Sequence, residues 1–225
     1  MAKNFELEKK WDRVYQKYKG KRLSVWRENA SPFFTNKIDY FKHLGLKKVL
    51  DAGCGDGRNL VEFAKAGFQV TGIDISEEAL NRCRKNCKKF RNVKLQKMEL
   101  EKPDFKAGSF DAVICDFVMA HMEKPEKIIR NFHKLLKKDG YALIEFTSVY
   151  DPNCGKGEKI GKDEYVQGEH YLRFYTISQI EKIMKKFTIL GIESYSYSDP
   201  NHGGGYHRKK RHGHHSYFVM AKKSA

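Results

Sequence analysis

The stretch Lys48-Val49-Leu50-Asp51-Ala52-Gly53-Cys54-Gly55-Asp56-Gly57 decides the fold. Its first half, residues 48–52, is typical of a short buried strand, and a predicted helix over 58–66 follows the glycine-rich turn. Glycine allows a backbone to approach a ligand closely and to adopt a positive φ. A strand, a glycine-rich turn and a helix in this order predict a ligand-binding crevice at the end of the strand.

Strands and helices alternate along the chain after this turn. A strand over 68–73 leads through Asp74 into a helix that begins at Ser76. The later predicted elements are strands at 93–97 and 110–115, a helix over 125–138 that stops at Gly140, and a strand at 141–147. This alternation predicts βαβ units, a parallel sheet and helices on both of its faces. The fold class is therefore α/β, doubly wound and Rossmann-like.

Both ends of the chain add to this core. Trp11, Val14, Tyr15 and Tyr18 share one face of a predicted first helix. A second predicted helix begins at Ser31-Pro32 and stops near Gly45. In the C-terminal part, a capping box of Thr176 and Gln179 begins a helix, and two strands at 187–197 and 215–222 are predicted to pair in antiparallel fashion.

We therefore predict a single domain over residues 1–225. It would comprise an N-terminal helical cap at 1–45, a cofactor-binding core at 46–147, a substrate lid at 148–175, and a C-terminal helix with an antiparallel strand pair at 176–225.

Composition narrows the class of protein. The 225 residues are 40% hydrophobic, which supports a packed core, and no apolar run approaches the roughly 20 residues that cross a bilayer. The charged start, Met1 to Trp11, does not look like a signal peptide. Five cysteines, an odd number at irregular spacing, favour reduced thiols. We expect a cytoplasmic protein with no membrane partner.

The acidic residues around the glycine turn discriminate between two kinds of ligand. Asp74 ends the strand after the turn, where a carboxylate accepts hydrogen bonds from both hydroxyls of a ribose. A pyrophosphate requires free N–H groups at a helix start and no anion beside them, whereas Asp51 and Asp56 lie in or next to this turn. S-Adenosylmethionine carries an ammonium and a sulfonium and no phosphate, so these carboxylates favour the methyl donor over a dinucleotide.

These features resemble the class I S-adenosylmethionine-dependent methyltransferases. The resemblance rests on the 49–57 turn, on Gly72-Ile73-Asp74-Ile75-Ser76, on Phe110-Asp111-Ala112-Val113-Ile114-Cys115, and on Leu135-Leu136-Lys137-Lys138-Asp139-Gly140-Tyr141. It implies a seven-stranded sheet, mostly parallel, with an antiparallel C-terminal strand. It also implies S-adenosyl-L-methionine as cofactor, held by Asp51, Gly53, Cys54, Gly55, Gly57, Asp74, Ile75, Met98, Glu99 and Cys115.

The sequence signals for the acceptor-binding residues are less specific than those for the cofactor-binding residues. The family places acceptor contacts after the fourth strand, where Asp116 and Phe117 stand, and the 168–176 segment resembles tellurite-resistance and thiol methyltransferase relatives. We expect His170 as base or orienting group, with His121 and Asp116 as further catalytic candidates. Tyr15, Trp26, Phe117, Tyr171, His207 and Arg208 are the expected substrate contacts. Asp116 is equally typical of a turn residue without a functional role. His170 and His121 are equally typical of histidines whose rings simply pack against their neighbours.

The net charge of +16 and a C-terminal segment rich in basic residues leave several interpretations open. Lysines spread over helix faces would simply be solvated, but clustered cations also bind nucleic acid. Residues 202–215 would be a solvated loop, an anion site, or a metal site on His212, His214 and His215, although we assign no metal. Cys83 and Cys87 lack the second pair that tetrahedral zinc needs.

The predicted function is S-adenosylmethionine-dependent methyl transfer to a small-molecule acceptor by in-line displacement. One alternative is an RNA methyltransferase that uses the basic C-terminal loop, with tRNA as its target. The other is a non-catalytic protein that senses the cofactor. The acceptor atom and the oligomeric state are not predicted.

Overall fold

The structure, a computed structural model, describes residues 2–17, 29–199 and 212–224, with side chains from residue 7 onward. The helices are α1 (Ala2–Lys17), α2 (Pro32–Thr35), α3 (Ile38–His43), α4 (Arg58–Lys65), α5 (Glu77–Cys87), α6 (Pro125–Leu135) and α7 (Ile177–Ile183), with a 3-10 turn at Met119–His121. The strands are β1 (Lys48–Ala52), β2 (Gln69–Asp74), β3 (Val93–Lys97), β4 (Phe110–Cys115), β5 (Leu136–Thr147), β6 (Glu158–Gly161), β7 (Glu164–Gln167), β8 (His170–Arg173), β9 (Phe187–Asp199) and β10 (His212–Lys223).

Seven strands form one sheet in the order β3-β2-β1-β4-β5-β10-β9. The pairs β1–β2, β2–β3 and β4–β5 are parallel, and β10 runs antiparallel to β5. This confirms the predicted mostly parallel sheet with an antiparallel C-terminal strand. None of the helices in the described ranges is both long and apolar enough to cross a membrane.

The chain contacts divide into two compact units, and residues 1–104 with 199–212 form the first. Its core is the β1–β2–β3 ladder with α4 and α5 packed on it. Leu60 and Phe63 of α4 are fully buried because they share the apolar face of that helix. The Ser76 side chain accepts a hydrogen bond from the Ala79 amide at 3.1 Å and so caps α5, as predicted.

Helix α1 packs against the start of α5 within this unit. Asp12 accepts hydrogen bonds from the Ser76 hydroxyl at 2.6 Å and from the Glu78 amide at 3.2 Å. A carboxylate at this position is favourable because the first turn of a helix presents unpaired N–H groups and positive charge. Arg82 donates to the Tyr15 carbonyl at 2.9 Å. These bonds position the end of α1 and therefore Tyr15.

The second unit comprises residues 105–198 and 213–225. Its core surrounds β5, where Phe132 of α6, Phe146 and Tyr175 are almost fully buried. Strand β9 runs antiparallel to β10, since Thr188 bonds to Ser224 at one end and Tyr197 to Ser216 at the other. The predicted capping box of Thr176 and Gln179 is present at the start of α7.

Two helix predictions were wrong. The single helix expected from Ser31-Pro32 to Gly45 is two short helices, because the Lys37 amide bonds to the carbonyl of Phe34, three residues back, and the α-helical ladder is interrupted. The helix expected over 125–138 ends at Leu135, since Leu136 turns extended, is fully buried and pairs with Phe110 in the sheet.

The 148–175 segment also contains structure that the sequence did not predict. Its strands β6, β7 and β8 form a separate three-stranded antiparallel sheet. The salt bridge of Glu164 with Arg173, at 3.2 Å, joins directly opposite residues of β7 and β8.

Candidate functional site

The glycine turn after β1 is bound to the end of β2. The amides of Gly53 and Cys54 both donate to the Ile73 carbonyl, at 2.8 and 3.0 Å. Gly53, Gly55 and Gly57 have φ values of 75°, 55° and 89°, a region that side chains rarely tolerate. At Gly57 glycine is also needed for space, because a Cβ there would lie 2.5 Å from the Cys83 sulfur.

Asp74 lies at the carboxyl end of β2 and faces this turn. Its Oδ2 accepts the Gly55 amide and its Oδ1 accepts the Ser76 amide, each at 2.9 Å. Burial raises the pKa of Asp74 to about 6, with a further contribution from the charge of Asp56, although the N–H donors of Ser76 and Gly55 act to lower it. Asp74 is thus a carboxyl group with a raised pKa beside the glycine turn.

Other predicted cofactor residues lie at the same edge of the first unit. Asp51, near the end of β1, is almost fully buried and pairs in register with Gly72 of β2. The Met98 amide donates to the Asp74 carbonyl at 2.9 Å, which places Met98 and then Glu99 beside the end of β2. Ile75 is half-buried directly after Asp74.

Cys54 differs from the others because its side chain is buried beneath the turn. Its sulfur lies 2.9 Å from the position of a Cβ on Gly72. The hydrogen bond with Cys83 lowers the pKa of Cys54, but burial and the charges of Asp51 and Asp74 raise it to about 11 overall. The thiol therefore stays protonated, and only the Cys54 backbone is available to a ligand.

Tyr15, predicted as a substrate contact, is brought to the glycine turn by α1. It is 4% exposed, and its hydroxyl oxygen lies 2.6 Å from the position of a Cβ on Gly55. Trp26, His207 and Arg208, the other predicted contacts from variable segments, lie outside the described residues.

In the second unit, the residues after β4 adopt an unusual conformation. Cys115 is fully buried at the strand end, and Phe117 has a φ of 58°, a strained value for a bulky side chain. The Phe117 amide donates to the buried Glu145 carboxyl, which also accepts the Thr147 hydroxyl at 2.9 Å. Burial first, and then the negative charge of Asp116, raise the pKa of Glu145 to about 7.

The structure brings His121 and His170 together. Their ring centroids are 6.4 Å apart, and His121 Nδ1 lies 3.2 Å from the carbonyl of Tyr171 on β8. The predicted residues His121, His170 and Tyr171 therefore form one cluster between the 3-10 turn and the small sheet. Their catalytic and substrate roles stay predictions.

A pair that the sequence did not predict lies elsewhere in this unit. Asp151, in the turn after β5, binds the Nδ1 atom of His214 on β10 at 2.9 Å. His215, the next residue, binds Ser194 through Nε2 at 3.1 Å, because neighbours on a strand face opposite ways. The pair spans 63 positions in sequence. Residue 214 precedes the strand that was predicted at 215–222, so no sequence signal indicated this pairing.

The arrangement is that of a doubly wound nucleotide-binding-type domain with its ligand edge at the strand ends. A family model described as "Methyltransferase domain" matches residues 44–202, and the chain belongs to this family.

One curated relative is the ubiquinone biosynthesis O-methyltransferase of Pseudomonas aeruginosa, 34% identical over 122 residues, which are 52% of this chain and 51% of that protein. The chain thus aligns with about half the length of the first curated relatives. TehB from Haemophilus influenzae has a similar fold, with a TM-score of 0.63 and 18% identity over 84% of this chain and 62% of that one. The 1,6-didemethyltoxoflavin-N1-methyltransferase of Burkholderia thailandensis, solved with bound 1,6-didemethyltoxoflavin and S-adenosylhomocysteine, also has a similar fold. Its TM-score is 0.64, with 18% identity over 86% of this chain and 79% of that one.

Proposed function

We propose that this chain is an S-adenosylmethionine-dependent methyltransferase that acts on a small-molecule acceptor. The observation that carries the proposal is the Asp74 carboxyl at the end of β2, which holds the Gly55 amide of the glycine turn. A carboxylate here suits the two hydroxyls of a ribose. The named activities of the relatives, O-methylation in ubiquinone biosynthesis and N-methylation of a small heterocycle, support the same class.

The residues of the first unit fit this cofactor. Asp74 would accept the ribose hydroxyls, Ile75 and Met98 would pack on the adenine, and Glu99 would accept from its edge. The backbone of Gly53 to Gly57 would hold the methionine part, with the negative charge of Asp51 close to its ammonium. The bound cofactor supplies an activated methyl group on a sulfonium.

The protein's part in such a transfer is to align the two reactants and to exclude water. Alignment alone lowers the barrier of well-oriented reactants by up to ~7–11 kcal/mol. Cys115 ends β4, and Asp116 and Phe117 follow it at the carboxyl end of the parallel β4–β5 pair, where we place the acceptor. The strained φ of Phe117 supports this placement, since strain is retained where a site requires it.

Two measurements test the proposal. Calorimetry should show binding of S-adenosylmethionine and S-adenosylhomocysteine to the wild type, with a loss of at least tenfold in Asp74→Ala and none in Asp39→Ala, an exposed aspartate on α3. Transfer of a labelled methyl group to a metabolite extract should then release S-adenosylhomocysteine. Wild-type affinity in Asp74→Ala would refute the crevice, and tight binding without any turnover would leave a cofactor sensor instead.

A further inference from the structure

Three cysteine sulfurs lie together beneath the glycine turn. Cys54 belongs to the turn itself, and Cys83 and Cys87 lie about one helical turn apart on the same face of α5. The Cys83 and Cys87 sulfurs are 3.8 Å apart, and Cys83 also forms a hydrogen bond with Cys54. Cys83 is therefore the middle member of a cluster of three sulfurs, which we call the thiol cluster and which belongs entirely to the first unit.

The glycine turn lies directly on the thiol cluster. A Cβ on Gly57 would stand only 2.5 Å from the Cys83 sulfur. The Gly57 amide donates to the Cys54 carbonyl at 2.9 Å, and the side-chain amide of Asn86 on α5 donates to the Asp56 carbonyl at 2.8 Å. Because turn and helix are in contact at these points, a change in the spacing of the sulfurs also displaces the turn.

The thiols of α5 are neutral in the folded protein. The hydrogen bond to Cys54, burial and the charge of Asp51 raise the pKa of Cys83, and the opposing hydrogen bond from Cys87 does not outweigh them. The hydrogen bond to Cys83, burial and the charge of Asp51 also raise the pKa of Cys87. Oxidants and alkylating reagents attack the thiolate, so these thiols are poor targets for them. A cation is different, because the negative charge of Asp51 attracts it.

The ligand atoms select the kind of cation. Thiolates favour soft ions such as Cu(I) over Mg²⁺ or Ca²⁺. Structural zinc takes four ligands in a tetrahedron, whereas the thiol cluster supplies three sulfurs. With a metal–sulfur distance of about 2.3 Å, three sulfurs in a plane around one ion lie about 4.0 Å apart. The 3.8 Å between the Cys83 and Cys87 sulfurs matches one side of this triangle.

We propose that Cys54, Cys83 and Cys87 bind one soft monovalent cation of the Cu(I) type and that this cation weakens the binding of the methyl donor. The second half rests on the proposed function. Cys54 and Cys87 are 7% and 5% exposed, so the ion reaches the fully buried Cys83 past them. Each thiol that becomes a thiolate releases its proton to water. The ion draws the sulfurs to equal spacing, and the turn moves because Cys54 is part of it.

The first test measures the metal. Cu(I) is titrated anaerobically into the full chain in competition with bathocuproine disulfonate, a coloured chelator of the ion. We expect one equivalent to bind, with an affinity at least tenfold weaker in Cys83→Ser and in Cys87→Ser. Cys154→Ser is the matched control and should bind as the wild type does, because Cys154 is a free cysteine of the second unit. Wild-type affinity in Cys87→Ser would overturn the site, even where Cys83→Ser fails to fold.

X-ray absorption of the Cu(I)-loaded protein identifies the ligand atoms. We expect three sulfur neighbours at about 2.3 Å and no nitrogen. Nitrogen neighbours would show that histidines of this chain hold the ion and would overturn the site. Zn²⁺ added in an equal amount should leave the sulfur signal unchanged, and its replacement of Cu(I) would contradict the selection for a soft monovalent ion.

The last test measures the coupling between metal and cofactor. By calorimetry, S-adenosylhomocysteine should bind at least fivefold more weakly to the Cu(I)-loaded wild type than to the metal-free protein, with no difference in Cys87→Ser. Linkage requires S-adenosylhomocysteine to weaken Cu(I) binding by the same factor. Equal cofactor affinity with and without Cu(I) would overturn the coupling. Failure of the metal-free protein to bind S-adenosylhomocysteine would instead refute the proposed function, and the Cu(I) titration would still decide the metal site.

Discussion

The hydroxyl oxygen of Tyr15 lies against the backbone of Gly55, 2.6 Å from where a Cβ would stand, while the ring carbon that bears it is 3.8 Å from that position. Gly55→Ala therefore introduces a clash with the hydroxyl in addition to the strain of a φ of 55°. We expect Gly55→Ala to lower the melting temperature and to weaken S-adenosylmethionine binding about tenfold or more.

A double-mutant cycle separates these two causes. In Tyr15→Phe the hydroxyl is gone and the remaining distance is an ordinary contact, so the double variant should recover part of the stability lost in Gly55→Ala. Gly67→Ala is the control for strain alone, since its φ is +94° and a Cβ there meets nothing within 4 Å. Strictly additive effects of Tyr15→Phe and Gly55→Ala would show that the hydroxyl does not restrict this position.

Cofactor affinity should depend on the ionisation of Asp74. Its pKa is raised to about 6 in the folded protein, so the group becomes increasingly protonated as the pH falls below that value. If the ribose hydroxyls bind the carboxylate, affinity should be constant above pH 7 and should fall by up to tenfold per pH unit below about 6. Calorimetry between pH 5 and 8 measures this, and Asp74→Asn should bind weakly without that dependence. A wild-type profile as flat as that of Asp74→Asn would contradict the assignment.

Much of the fold was predictable because its signals are local. The bounds of β1, β3 and β4 match the predicted strands, since each is a short run between residues that favour turns. The Thr176 capping box was readable for the same reason, because both partners lie within one turn of a helix. Leu136 shows the limit: its pairing with Phe110, 26 positions earlier, overrides a helical pattern that continues to Lys138.

The candidate site likewise contains parts that the sequence predicts and parts that it does not. The Gly53–Gly57 turn follows β1 and Asp74 ends β2, the neighbouring strand of a parallel ladder, so their proximity is a consequence of topology. The Asp151–His214 pair depends on how β10 returns beside β5, a register that no local pattern encodes. Cys54 shows a third case, where the position was identified but the direction of the side chain was not.

The buried hydroxyl of Tyr175 should contribute measurably to stability. It donates to the Met119 carbonyl at 2.8 Å and so holds the 3-10 turn that carries His121. Tyr175→Phe removes one of two donors to that carbonyl, which keeps the Met122 amide at 3.2 Å, so we expect a loss of about 0.5–1.5 kcal/mol in the free energy of unfolding. Tyr150→Phe is the control, because Tyr150 is 72% exposed. Denaturant unfolding measures both, and equal values for the two variants would contradict the role of this bond.

Glu145 should make the protein less stable as the pH rises through the neutral range. Its pKa is raised from 4.5 to about 7 by burial and by the charge of Asp116, so the folded state binds a proton that the unfolded state has already released. Stability from this group is therefore complete below pH 4.5 and declines as the pH rises to about 7, by roughly 3 kcal/mol in total. Glu145→Gln carries no such proton, and its free energy of unfolding relative to the wild type should increase across this interval. Thermal unfolding at pH 5, 6, 7 and 8 measures the difference. A difference that stays constant over these four values would show that Glu145 is ionised throughout and that its pKa is not raised by burial.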